Sequence, residues 1–186
     1  MTTAPEPRVC DCFPQVREVT LAREQRYLAD PTKAAPEGPR STVEVKVTSV
    51  GELNERAESL KSGRSWTISE PAHVGGLADA PTPLEYLLSG AAGCFAAVFA
   101  FYAAKLDVPY DSFEATAVAE FDARGHMIED APPSGFASVR IDVAVTSGAP
   151  ADALRRVHEL ALAGCPGIDT LRSPVPLEST LEVTAA

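Results

Sequence analysis

The sequence predicts an α+β domain of mainly antiparallel strands, and three patterns carry that expectation. Several stretches alternate apolar with polar residues, as Val43, Val45 and Val47 do against Glu44, Lys46 and Thr48. One uncharged run, from Tyr86 through Ala104, has the length of a helix rather than a strand. A second helical pattern places Leu154, Val157, Leu160 or Ala161, and Gly164 on one face between the later strands.

Taken in order, residues 1–40 hold many of the prolines and read as an arm, in which "REVTLAREQRYLAD" can form a short helix ending before Pro31. Residues 41–186 read as a single domain. Its first strand starts at Thr42, and shorter strand-like pieces at Arg56 to Leu60 and Ser65 to Ile68 are parted by "KSG". The long helix follows. Alternation returns at Phe113, Ala115, Ala117, Ala119 and Phe121, and again at Val139, Ile141, Val143 and Val145. The second helix is expected to stop at Pro166, and a last strand carries Val175, Leu177, Ser179, Leu181 and Val183. A length of 186 residues with 45% hydrophobic content suits one such domain, or one subunit of a compact oligomer.

Charge narrows the partners. Sixteen basic against 26 acidic residues leave a formal charge of -10, with no Lys/Arg cluster to follow a phosphate backbone, so nucleic acid is not expected. The start, "MTTAPEPRVCDC", lacks the basic and apolar regions of a secretory signal, and a cytoplasmic location is expected. Four cysteines in that setting point to reactive, metal-bound or buried thiols rather than a disulfide framework.

The uncharged run is about as long as a membrane span. Its abundance of Ala and Gly, and the amphipathic strands around it that need an internal partner, favour a buried core helix instead, with no membrane. The helix start is well specified. Thr82 takes the N-cap, Pro83 the first helical position, and Glu85 completes an S/T-x-x-E capping box. Cys94 stands mid-helix, where cysteine is often simply a small buried hydrophobe. Cys165, in "LAGCPG" at the end of the second helix, offers a partner if the two helices pack together.

The stretch "EPAHVGGLADAPTPLEYLLSGAAGCFA" resembles the central signature of the OsmC/Ohr family (osmotically induced protein C and organic hydroperoxide resistance protein). A Gly-Gly turn there precedes a Pro-initiated helix containing a cysteine. "GCPGIDTLRSPVPLESTLEV" is similar to the family's second motif, and the resemblance covers about residues 42–184. The long arm, "DARGHMIEDAPPSGFASVRIDV" and "RSPVP" look most like a longer OsmC-like subgroup. The resemblance implies an intertwined homodimer with sheets wrapped around two central helices. It also implies thiol-dependent reduction of organic hydroperoxides, with Cys94 attacking and Cys165 resolving. No bound cofactor, metal or flavin is implied. An external dithiol, a lipoyl-type one among the candidates, would restore the thiols, and small apolar hydroperoxides would be the substrates.

A buried thiol needs help to ionise, and mid-helix it gains little from the helix dipole. In the hydroperoxide reductases the resemblance points to an arginine held by a glutamate just after the helix-starting proline. Here Pro83 is followed by Leu84, and the carboxylate is Glu85, turned by about 100° around the helix. Arg56 is the first candidate for the arginine and Arg64 the second, with Glu85 alternatively serving only the cap. The other function class is an OsmC-like dimer without peroxidase activity that binds a small hydrophobic ligand, for which Leu84 is the clue. His73, His126 and His158 are too scattered for a metal site, Cys10 and Cys12 read as incidental, and "GGLADAP" lacks a phosphate-loop context.

Overall fold

The computed structural model of the protein describes residues 9–33 and 40–184. The expected boundary near residue 40 adjoins residues 34–39, which lie outside the described residues. The chain runs through α1 (Phe13–Ala29), β1 (Val45–Gly51), β2 (Asn54–Ser59), β3 (Ser65–Ser69), α2 (Pro83–Leu106), β4 (Ser112–Phe121), β5 (Phe136–Thr146), α3 (Ala151–Gly164) and α4 (Pro166–Arg172). The architecture is α+β with antiparallel sheets, as the sequence predicts. One sheet has the order β1-β2-β3, and β4 pairs with β5 in a hairpin that sets Phe113 opposite Val145 and Ala117 opposite Ile141.

Local chemistry explains the joints. The β1–β2 turn puts Gly51, Glu52 and Leu53 at positive φ, and the Leu53 carbonyl accepts a hydrogen bond from the Glu70 N–H at 3.1 Å. That bond ties the turn to the Gly-Gly segment. Gly75 has φ 96°, and a Cβ on Gly76 would stand 2.0 Å from the Glu70 carbonyl oxygen, so no larger residue fits there. The capping box then forms as predicted: Thr82 Oγ1 accepts from the Glu85 N–H at 3.3 Å, and the Glu85 carboxylate accepts from the Thr82 N–H at 2.7 Å. Asp107, in the left-handed region, ends the helix by donating its N–H to the Ala103 and Ala104 carbonyls.

α2 is the hub. It packs against α1, α3, α4 and β4 through Ala91, Phe95, Phe99 and Ala103, which recur every four residues and lie on one stripe. Phe99, Tyr110 and Phe113 form a ring cluster with Phe95 and Phe13, closed from the other side by Val157 and Ala161 of α3. The β1-β2-β3 sheet stands at the start of α2, where the Tyr86 hydroxyl donates to the Thr67 carbonyl at 2.8 Å and the Tyr86 ring meets Trp66.

Three expectations are corrected. α2, expected to be enclosed all round, is buried along one stripe, and Leu87 and Phe101 on its other side are exposed, because one chain brings neighbours to only part of its circumference. By length and composition α2 could cross a membrane, yet in this fold it is the helix on which the core is built. Pro166 stops α3 but also starts α4, since a proline suits the first position of a new helix. The last predicted strand is unpaired within the chain: residues 174–184 hold no regular structure, and Leu177 is 93% exposed. Alternation records which residues seek cover, not whether the cover lies in the same chain. The helix expected in the arm forms as α1 and lies along α2, with Glu24 paired to Lys105 at 2.5 Å.

Removing the cap tests this account of α2. Thr82→Ala, which also leaves Glu85 without its hydroxyl partner, is expected to cost about 1 kcal/mol in chemical denaturation. Thr82→Ser should recover most of it.

Candidate functional site

Cys94 owes its position to the stripe on α2. It precedes the fully buried Phe95 by one residue, about 100° around the helix, which leaves its thiol half-buried at the edge of the core. Cys165 arrives from the other direction, as the single extended residue between α3 and α4, and is 1% exposed. Two glycines let these elements close together. A Cβ on Gly167 would lie 3.0 Å from the Cys94 Cβ and 3.3 Å from the Ala91 Cα, and one on Gly164 would lie 2.9 Å from the Tyr102 hydroxyl. A side chain at Gly167 would press on the α2 backbone, and one at Gly164 would displace the Tyr102 ring.

The result is a pair of free thiols close enough to perturb one another. Burial pushes the Cys165 thiol above its ordinary pKa, and the neighbouring Cys94 pushes in the same direction. The amides of Ile168 and Gly167 in the first turn of α4 oppose that shift without overcoming it. No cationic side chain contributes to it among the described residues. The two sulfurs are therefore chemically unequal: one is reachable from outside, and the other is enclosed and held as the protonated thiol.

The remaining sequence candidates sit apart from this pair or are otherwise engaged. The Glu85 carboxylate is taken by the Thr82 backbone and hydroxyl, which also hold its pKa below the usual carboxylate range. Arg56 lies on β2 between Thr48 and Thr67, is exposed, and donates to the Ser65 hydroxyl at 3.4 Å. Arg64 lies in the β2–β3 turn, where its carbonyl accepts from the Ser59 N–H. The structure thus brings Cys94 and Cys165 together and leaves Arg56 and Glu85 to other bonds. His158 packs edge-on against Phe95. Cys10 borders the core and its N–H donates to the Tyr110 carbonyl, while Cys12 caps α1 and is exposed. Sequence reasoning missed α4 and the role of Gly167. The signal was present in "CPG", where a cysteine at an N-cap and a proline at the first helical position can open a helix as readily as they end one.

Comparison with known proteins bears on the same region. The sequence profile of the family described as OsmC-like protein matches residues 76–180, a segment containing both cysteines. Among solved structures, an OsmC-like protein from Mycoplasma pneumoniae is similar at a TM-score of 0.63 and 16% identity, over 72% of this chain and 89% of that one. An organic hydroperoxide resistance protein, OsmC, from Legionella pneumophila gives 0.56 and 20% identity, over 72% of this chain and 91% of that one. An organic hydroperoxide resistance protein from Elizabethkingia anophelis, with thiocyanate bound, gives 0.56 and 19% identity, over 72% and 90% of the two chains. No curated protein sequence matches this chain.

The inequality of the thiols has a direct readout. With iodoacetamide and peptide mapping of native protein at pH 8, Cys94 should be alkylated well before Cys165. The Cys165 rate should keep rising with pH beyond the range of an ordinary thiol, because its raised pKa keeps the reactive thiolate scarce until higher pH. Equal rates at the two positions would contradict the burial argument.

Proposed function

Because the chain belongs to the OsmC-like protein family and holds Cys94 beside Cys165, we propose that it is a thiol peroxidase that reduces organic hydroperoxides. The observation that carries this reading is the pairing of a reachable thiol with an enclosed one. The Cys94 thiolate attacks the outer oxygen of the hydroperoxide, the O–O bond breaks, and the alkoxide takes a proton and leaves as the alcohol. Cys94 is then a sulfenic acid. The Cys165 sulfur displaces its hydroxyl, water leaves with the Cys165 proton, and a disulfide joins the two residues. An external dithiol, a lipoyl-type one being a candidate, reduces that disulfide and returns both thiols. Every electron in the cycle passes through sulfur, so the reading requires no bound metal or flavin. Apolar neighbours such as Ala91 and Phe95 suit an alkyl hydroperoxide better than hydrogen peroxide, since burying its organic part contributes about 25 cal/mol per Å².

A second reading rests on the placement of Arg56 and Glu85. With Glu85 committed to the cap and Arg56 to Ser65, the pair that would activate the thiol is not assembled within one chain. A dimer without peroxidase activity, binding a small hydrophobic ligand, accommodates that arrangement. Both readings place the protein in the cytoplasm as a homodimer. Val43 before β1 and Val47 on it, Leu87 on α2, and Leu177 and Leu181 in the final segment are apolar side chains left uncovered by their own chain.

One experiment decides between the readings. Reduced protein mixed anaerobically with one equivalent of cumene hydroperoxide should lose two hydrogens in intact mass, and peptide mapping should find Cys94 joined to Cys165. Cys94→Ser should abolish hydroperoxide consumption. Cys165→Ser should allow the first step and then halt at the sulfenic acid or a higher oxide. Wild-type protein that consumed the hydroperoxide no faster than Cys94→Ser would leave the ligand-binding reading in its place. The dimer is checked separately by light scattering at micromolar concentration, which should report twice the mass of one chain. A chain shortened to end at Ser173 should dissociate or aggregate.

A further inference from the structure

α1 packs along α2, and a groove bordered by the two helices has a volume of about 530 Å³. Seven of its lining residues come from α1, all of them before residue 76, where the family match begins. The groove is therefore shared between α1, which precedes the matched segment, and Val98, Phe101, Tyr102, Lys105 and Gly164 within it. Its floor is apolar, with Val16 and Val19 facing Val98 and Phe101, and from Val16 to Tyr27 it runs about 16 Å along α1. A cavity of this size and lining is of the kind that takes a small molecule.

The charges at the Tyr27 end select the kind of molecule. Glu24 and Lys105 cancel one another at 2.5 Å. Arg23 has no carboxylate partner among the described residues; its hydrogen bond there goes to the Tyr27 hydroxyl at 3.4 Å. Arg26 stands on the same ring, its guanidinium 5.4 Å from the centroid, with that of Arg23 at 6.0 Å. One guanidinium, that of Arg23, thus lines the end of an apolar trough, with Arg26 outside the lining on the same Tyr27 ring, on a protein whose formal charge is -10. An uncharged ligand would leave that end unused and a cation would be repelled from it, whereas a carboxylate meets the guanidinium in a charge-assisted hydrogen bond.

We propose that the α1–α2 groove is a binding site for an amphipathic carboxylate, its alkyl part on Val16, Val19, Val98 and Phe101 and its headgroup on Arg23 and Tyr27. The site is separate from the thiol pair and does not depend on the peroxidase reading.

Isothermal titration of the reduced full-length protein with decanoate tests it. Saturable binding of one decanoate per chain is expected, with decanol weaker and decyltrimethylammonium weaker still. Arg23→Gln should weaken decanoate by about tenfold, the loss of one charge-assisted hydrogen bond, while changing decanol little. Val19→Glu, at an exposed position where folding is not at stake, should abolish binding of both. Alkylation of Cys94 should leave decanoate affinity unchanged. Four results would overturn the proposal: no saturable binding, equal affinity in Arg23→Gln and wild type, decyltrimethylammonium binding as tightly as decanoate, or loss of binding on alkylation of Cys94. A fifth is a wild-type dimer that excludes decanoate and becomes monomeric in Val19→Glu, which would assign the groove to a second copy of the chain.

Discussion

The structure depends on one packing constraint: the stripe of Ala91, Phe95, Phe99 and Ala103 must be removed from water, and four other elements are arranged to do it. The stripe is small at its ends and large in its middle: α4 approaches closely at Ala91, while the two phenylalanines pack against Phe113 of β4. Each fully buried phenylalanine is worth about 2 to 3 kcal/mol by area. That is a large share of the stability of a domain, and it fixes the rotation of α2 about its own axis. The position of Cys94 follows from that rotation.

The thiol pair then results from close approach rather than from any bond dedicated to it. Gly167 follows Cys165 by two residues, and the absence of a side chain there lets the start of α4 rest on the α2 backbone at Ala91, beside Cys94. Enclosure of one sulfur comes with the same contact, which is why the two differ in accessibility and why burial acts on Cys165. A chemistry that uses one thiol to attack and another to finish needs such a difference. Here it arises from ordinary packing geometry.

The apolar residues that the chain leaves uncovered form a consistent set. The valines of β1 and the alternating positions of 174–184 belong to segments with strand-like patterns, and Leu87 lies on the side of α2 away from its buried stripe. Each could be covered only by something outside the fold of one chain. α1 offers a partial contrast: its Phe13 enters the core beside Tyr110, and Glu24 anchors it to Lys105, yet a trough runs along its border with α2.

Much of this was legible in the sequence because it depends on near neighbours. Period-two alternation marked β1, β4 and β5, an i to i+3 capping box marked the start of α2, and the Gly-Gly turn marked a place where backbone meets backbone. The pairing of Cys94 with Cys165 came from a resemblance, since 70 residues lie between them and no local pattern carries a distance. The parts that escaped the sequence are decided by what packs against what. Whether Pro166 only ends a helix or also begins one depends on room beside Ala91. Whether residues 175–183 pair depends on a partner strand that the chain does not supply to itself. Arg56 has the right chemical type for activating a thiol, but it donates to Ser65 on the neighbouring strand, and only tertiary structure sets which partner a charged group meets first.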